Sequence, residues 1–166
     1  MFVLIGLGNP GTKYQNNRHN VGQMLIDYLA KNFKSQNENI KFFKTDCFMN
    51  QSGKAVKKII ENYKLKIENL IIIHDDLDIP LGKSKIQKGI GPKLHNGIRS
   101  IEQELKTKDF WRVRIGVDNR KPENHISGET YVLQDFLPEE KELLTNEVFP
   151  AIKEKINRMF LTKQSY

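Results

Sequence analysis

Alternating strand-like and helix-like segments along these 166 residues predict an α/β fold, a mixed, mostly parallel sheet flanked by helices in a single domain spanning 1–166. Two observations carry this. Phe2-Val3-Leu4-Ile5 and Leu70-Ile71-Ile72-Ile73 are continuous apolar runs of the kind buried parallel strands show. Between and after them apolar residues return at helical spacing, as in Val21, Met24, Leu25, Tyr28 and Leu29.

Taken in order, the first strand feeds the glycine-rich turn Gly6-Leu7-Gly8-Asn9-Pro10-Gly11. A helix follows from Asn20, suited to cap it, to about Phe33, and Lys34 to Asn39 reads as a polar loop. An extended piece is expected over Ile40 to Phe48. Ser52 is suited to cap the next helix, whose Val56, Ile59, Ile60 and Tyr63 share a face. The strand at Leu70 is expected to end at His74-Asp75-Asp76. A short basic strand over Lys83 to Gln87, suited to antiparallel pairing, gives way to a loop over Lys88 to Leu94 and a helix from near Asn96. Trp111 to Val117 alternates, placing Val113, Ile115 and Val117 on a core face and Arg112 and Arg114 on a solvated one. Asp118 to Gly128, with Pro122, reads as a long loop. From Pro138 the chain is helical, with Pro150 expected to break or bend it near Phe149.

Composition narrows the function. There are 27 Lys and Arg against 20 Asp and Glu, a net charge of +7, which favours a polyanionic partner such as nucleic acid. No apolar run reaches the roughly 20 residues of a membrane span, and Met1 to Leu7 has no basic leader or cleavage site, so a cytoplasmic protein is expected. Cys47 is the one cysteine; it has no disulfide partner or metal-ligand spacing and suits a small buried apolar role.

The glycine turn fits G-x-G-x-x-G, but a dinucleotide site needs a helix opening at the third glycine and an acid about 20 residues on. Here Pro10 stiffens the turn, Thr12 to Asn17 reads as loop, and Asp27 falls inside the following helix. Polar groups instead gather beside strand and helix ends: Asn9, His19-Asn20, Asn50, His74-Asp75-Asp76-Leu77-Asp78 and His95-Asn96-Gly97. A His paired with a carboxylate suits general-base activation of water, and nearby Asn amides suit a substrate's carbonyl and amide groups. Mg²⁺ binding by Asp75, Asp76 and Asp78 is the competing reading of the acidic run.

Gly6-Leu7-Gly8-Asn9-Pro10-Gly11 with Tyr14 and Arg18-His19-Asn20-Val21-Gly22, then Phe48 to Val56, His74 to Pro80, His95-Asn96-Gly97 and Phe110 to Val117 together resemble the ordered motifs of bacterial peptidyl-tRNA hydrolases. The resemblance runs from Met1 to about Leu144. It implies hydrolysis of the ester joining peptide to tRNA by a metal-free, cofactor-free monomer. His19 would be the base, Asp75 the carboxylate that orients it, and Asn9, Asn50, Asn96 and Tyr14 the substrate-binding residues, Asn96 also steadying the oxyanion. Lys83, Lys85, Lys88, Lys93, Arg112 and Arg114 would hold acceptor-stem phosphates. A catalytically silent RNA-binding relative of the same fold is the alternative.

Four features depart from the family pattern. The chain is short between Phe43 and Phe48, which implies a missing hairpin. The glycine-rich loop before His95 here reads Gly89-Ile90-Gly91-Pro92-Lys93-Leu94, Gln87 stands where a phosphate-binding lysine is common, and the tail to Tyr166 is short, implying a reduced lid.

Overall fold

The computed structural model describes residues 1–33 and 39–163, so most of the expected Lys34 to Asn39 loop and the last three residues of the tail lie outside the described residues. Strand β1 (Phe2–Gly6) leads through a turn of 3-10 helix, Arg18–Asn20, into α1 (Val21–Asn32); β2 (Ile40–Lys44) leads through a second such turn, Met49–Gln51, into α2 (Ser52–Tyr63). Then come β3 (Leu70–Pro80), β4 (Ser84–Lys88), α3 (Asn96–Leu105) and β5 (Trp111–Asp118). Next is a short α4 (Gly128–Val132), then α5 (Pro138–Leu143), a π-helical turn (Leu144–Val148) and α6 (Phe149–Lys163).

The strand order is β2-β1-β3-β5-β4. Three pairings are parallel and only β4 with β5 is antiparallel, the mixed sheet that the basic piece at Lys83 suggested. Among the described residues no strand lies between Lys44 and Phe48, in keeping with the missing hairpin. Leu4, Ile71, Ile73, Val113 and Ile115 pack against Leu25 and Leu29 of α1 and Ile152 and Ile156 of α6. Val3, Ile5, Leu70 and Ile72 pack against Val56 of α2 and Ile98 and Ile101 of α3. Both faces are thus dry, which explains why β1 and β3 read as unbroken apolar runs.

Several expectations change. β3 does not stop at His74 but continues to Pro80, with a register shift against β5 between Asp76 and Pro80. Polar residues continue in the strand because each finds a partner there, as described below. β2 ends at Lys44 rather than Phe48. Asn20 and Ser52 do not cap their helices. The Asn20 amide closes on the backbone of Asn9, and Ser52 Oγ donates to Met49 O at 2.7 Å. The region after Asp118 contains α4, whose Ser127 Oγ accepts from Thr130 N. The C-terminal helix stays continuous through Pro150. The irregularity comes one turn earlier, as the π turn, in which Phe149 N donates to Leu144 O. Cys47 is half-buried rather than in the core.

The largest correction concerns β5. Arg112 and Arg114 are 1% and 7% exposed, so the second face is covered as well. Arg112 pairs with Glu102 of α3 at 2.9 Å and donates to the carbonyls of Lys108 and Gly91. Arg114 pairs with Asp76 at 2.7 Å and donates to Gln87 Oε1 at 2.7 Å. Alternation correctly separated two faces; the second is lined by ion pairs, not by solvent.

One close approach decides how α1 sits on the sheet. A Cβ on Gly22 would stand 2.3 Å from the Ile73 carbonyl oxygen, so only glycine lets the start of α1 lie directly on β3. Gly22→Ala should therefore lower unfolding stability by about 1–3 kcal/mol, as overpacking does. Urea denaturation would check this, and a variant as stable as the parent would show that α1 slides freely over β3.

Candidate active site

The carboxyl ends of β1 and β3 meet the loops entering α1 and α3, and the polar residues converge there. The short approach at Gly22 sets the preceding turn over β3, bringing His19 Nδ1 to 2.9 Å from both oxygens of Asp75. His95, from the other face of the sheet, reaches the same carboxylate with Nε2, 2.8 Å from Oδ1. All three residues are buried.

The tautomers follow from the remaining bonds. His95 Nδ1 accepts from the Gly97 and Ile98 amides at 3.1 and 3.2 Å, capping α3, so its hydrogen sits on Nε2 and is donated to Asp75. His19 donates from Nδ1, which leaves Nε2 as its basic atom. Burial alone would push the Asp75 carboxyl up; the two imidazoles beside it outweigh that and hold it well below the usual carboxylate range. Burial likewise disfavours the His19 cation, but the Asp75 charge and hydrogen bond prevail and raise its pKa above the ordinary histidine value. His74, one residue earlier on β3, behaves oppositely. Fully buried, with His95 and Arg112 nearby, it is depressed to about 3 and stays neutral, donating Nδ1–H to the Asp75 carbonyl at 2.7 Å.

Asn9 is fixed from two sides. Its backbone is clamped by the Asn20 amide, Asn9 N to Oδ1 and Nδ2 to Asn9 O, both at 2.9 Å. Its own Oδ1 accepts from Met49 N at 2.8 Å, which leaves the Nδ2 hydrogens for a ligand. Asn9, His19, Asn50, Asp75 and Asn96 line one cavity of about 690 Å³. Asn96 Oδ1 accepts weakly from Arg99 at 3.4 Å and is otherwise exposed, as is Asn50. Tyr14 does not line that cavity; it stands behind its wall, edge-on to Phe48 with ring centroids 6.2 Å apart.

The acidic run is not a shared carboxylate cage. Asp75 serves the two histidines, Asp76 serves Arg114 and the Asp78 amide, and Asp78 Oδ2 accepts from Lys93 N at 2.8 Å. His19, Asp75 and His95 are the one described group close enough to hold a cation, but both facing nitrogens carry hydrogens bonded to the carboxylate, and an ion would have to displace them. Among the expected phosphate ligands, Lys83, Lys85 and Lys93 are exposed on β4 and the loops beside it, and Lys88 is paired with Asp109 at 3.0 Å. Arg112 and Arg114 face inward, where Arg112 bonds to Glu102, Lys108 and Gly91 through its terminal nitrogens and Arg114 bonds to Asp76 and Gln87.

Sequence reasoning gathered His95 with the polar groups but gave it no role, and it missed the wall formed by Arg99, Ser127, Gly128, Glu129, Val132 and Leu133. The sequence places His95 beside Asn96 at a helix start, where a capping role accounts for it; its second bond spans 20 residues and has no local signature.

Comparison with known proteins identifies the family of the chain. The family model for peptidyl-tRNA hydrolase matches residues 3–165. The peptidyl-tRNA hydrolase of Aliarcobacter butzleri is 42% identical, over 95% of this chain and 89% of that protein. That of Geotalea daltonii is 44% identical, over 83% of this chain and 79% of its own length. The crystal structure of peptidyl-tRNA hydrolase from Acinetobacter baumannii superposes with a TM-score of 0.84 at 25% identity, covering 99% of this chain and 91% of that one. On a match that takes in nearly every residue and on identities of this size, the chain belongs to the peptidyl-tRNA hydrolase family.

Proposed function

We infer that this protein hydrolyses the ester linking a peptide to the terminal ribose of tRNA, with His19 as general base. The observation that carries this is the His19–Asp75 pair, which leaves His19 Nε2 as the basic atom in a cavity lined by three asparagines. A water there gives a proton to Nε2 as its oxygen attacks the ester carbonyl carbon. Asp75 stabilises the imidazolium that forms, as the acid of a catalytic triad does. The tetrahedral intermediate collapses with cleavage of the bond to the ribose oxygen, which takes back the proton from Nε2; free peptide acid and free tRNA leave. The Nδ2 hydrogens of Asn9 and the amides of Asn50 and Asn96, which line the cavity, would bind the peptide, the ribose end and the developing oxyanion. Tyr14 acts from behind, by supporting Phe48.

The acceptor stem would lie along β4, where Lys83, Lys85 and Lys93 offer exposed charge, with Lys88 partly engaged by Asp109. Arg112 and Arg114 support that surface from beneath through Gly91 and Gln87. The net charge of +7 fits such a substrate, and no described helix is long and apolar enough to cross a membrane. A monomer working in the cytoplasm without a metal is the simplest form of this reading.

The test is release of peptide from an N-blocked aminoacyl-tRNA in chelator. His19→Ala should lower kcat by about 10²–10⁴, the contribution of a positioned base, and leave tRNA affinity intact. Binding lost in step with activity would make His19 a docking residue. The pH profile gives a second check. His19 must be neutral to act and its pKa is raised, so the acid limb of kcat/KM should inflect above the ordinary value of about 6.5. Asp75→Asn should move that limb down as well as slow the reaction; an unmoved limb would assign it to another group.

His95 enters as a positioning residue. In His95→Asn the new amide oxygen can still cap α3 but falls short of Asp75. Loss of one charge-assisted bond predicts kcat lower by roughly 10- to 100-fold. KM should be little changed and the acid limb should move up, since a carboxylate with one donor fewer holds the His19 proton more strongly. A simple loss of fold would instead lower the concentration of active sites with no shift in the pH profile.

A further inference from the structure

The catalytic cavity has an apolar side that the chemistry above leaves unused. Phe48, Met49, Leu77, Leu94, Val132 and Leu133 share its wall with the polar groups. Three of them are large apolar side chains left open to solvent, Leu94 at 82%, Phe48 at 52% and Leu133 at 48%. Exposed apolar side chains scattered singly need no explanation, but three on the rim of one cavity mark a surface meant to be covered.

Leu94 is the most exposed of them, and its backbone is fixed on both sides. On one side Lys93 N donates to Asp78 Oδ2 at 2.8 Å, and Gly91, two residues earlier, accepts from Arg112. Gly91 also lies so close to the Arg114 guanidinium that a Cβ there would stand 2.4 Å from its carbon, at φ +62°, a conformation that glycine adopts freely. On the other side His95 is tied to Asp75 and to the α3 amides. An exposed leucine on an immobilised backbone, next to the residue that holds the catalytic carboxylate, is a contact ordered before the ligand arrives.

Resting on the hydrolase reading of this site, we propose that Leu94 is a specificity-determining residue: with Phe48 and Leu133 it forms an apolar rim that receives the side chain of the amino acid esterified to the tRNA. The occupant follows from what the substrate offers. Its nucleic-acid part is polar and anionic and is matched by the lysines of β4; its peptide backbone is matched by the asparagines. The amino-acid side chain supplies aliphatic surface directly beside the scissile carbonyl; the face of the terminal base is the competing apolar surface, and the experiment below separates the two. Esters of leucine or phenylalanine are therefore favoured over those of glycine or aspartate.

The experiment compares kcat/KM for N-acetyl-leucyl and N-acetyl-glycyl esters of one and the same tRNA, in the parent, Leu94→Ser and Leu94→Met. The intrinsic reactivity of the two esters cancels when the leucyl-to-glycyl ratio is compared between proteins. That ratio should fall by about five- to twentyfold in Leu94→Ser, the scale of a modest apolar contact, and be restored in Leu94→Met. A ratio unchanged in Leu94→Ser, with both esters slowed alike, would overturn the proposal and place Leu94 against the tRNA terminus or in support of the loop. Failure of Leu94→Met to restore the preference would also overturn it. Absence of release from either ester by the folded parent would overturn the hydrolase reading itself.

Discussion

A carboxylate taken out of water must be compensated where it stands, and the site is built around doing this for Asp75. An isolated buried carboxylate would neutralise rather than stay charged. Asp75 stays charged because two N–H groups point at it, His19 Nδ1 from the α1 face of the sheet and His95 Nε2 from the α3 face. Neither donor is adjustable. His19 is set by a helix that lies against β3 only because residue 22 has no side chain, and His95 has its other nitrogen bonded to the first amides of α3. The carboxylate is therefore linked through an imidazole to a helix N-terminus, whose partial positive charge favours the anion at the far end.

The cavity wall depends on a further buried ion pair, one residue from His19. The Arg18 guanidinium meets Glu140 of α5 at 2.8 Å, donates to the carbonyls of Gln134 and Asp135, and stacks on Tyr131 with its central carbon 4.2 Å from the ring centre. Glu140 in turn accepts from Leu137 N and Asn119 Nδ2. Tyr131 belongs to α4, whose Gly128, Glu129 and Val132 line the cavity. The turn that presents His19 is thereby fastened to the segment that walls the cavity. Neighbouring residues of one turn thus hold both the Asp75 carboxylate and the cavity wall.

How much of this was legible in the sequence follows from the range of each interaction. β1, the glycine turn, α1, α2 and the apolar half of β3 could be read because burial on two faces, or on one helical stripe, leaves a local pattern. His19 and Asp75 stood among several polar groups at element ends, the family resemblance singled them out as a pair, and the structure joins them. The alternation at Trp111 to Val117 gave two faces correctly and their surroundings wrongly, since an arginine opposite solvent and one opposite Glu102 or Asp76 look alike in sequence. Asn20 likewise sits where a cap is wanted, yet spends its amide on Asn9, 11 residues earlier. Long-range partners redirected these residues, and such partners leave no period to read.

The same separation explains why His74 and His19, both buried near Asp75, differ in function. His74 hydrogen-bonds the peptide carbonyl of Asp75 rather than its carboxylate, so burial dominates and it remains a neutral member of the core. His19 meets the carboxylate itself, and attraction overrides burial. A base must accept a proton without holding it at rest. The Asp75 charge meets the first demand by stabilising the imidazolium, and sharing that charge with His95 moderates the second. With one donor fewer the carboxylate would draw the proton onto His19 more strongly and deplete the neutral form that activates water. On this argument His95 is a counterweight: by sharing the Asp75 charge it limits how strongly His19 would hold a proton in the proposed reaction.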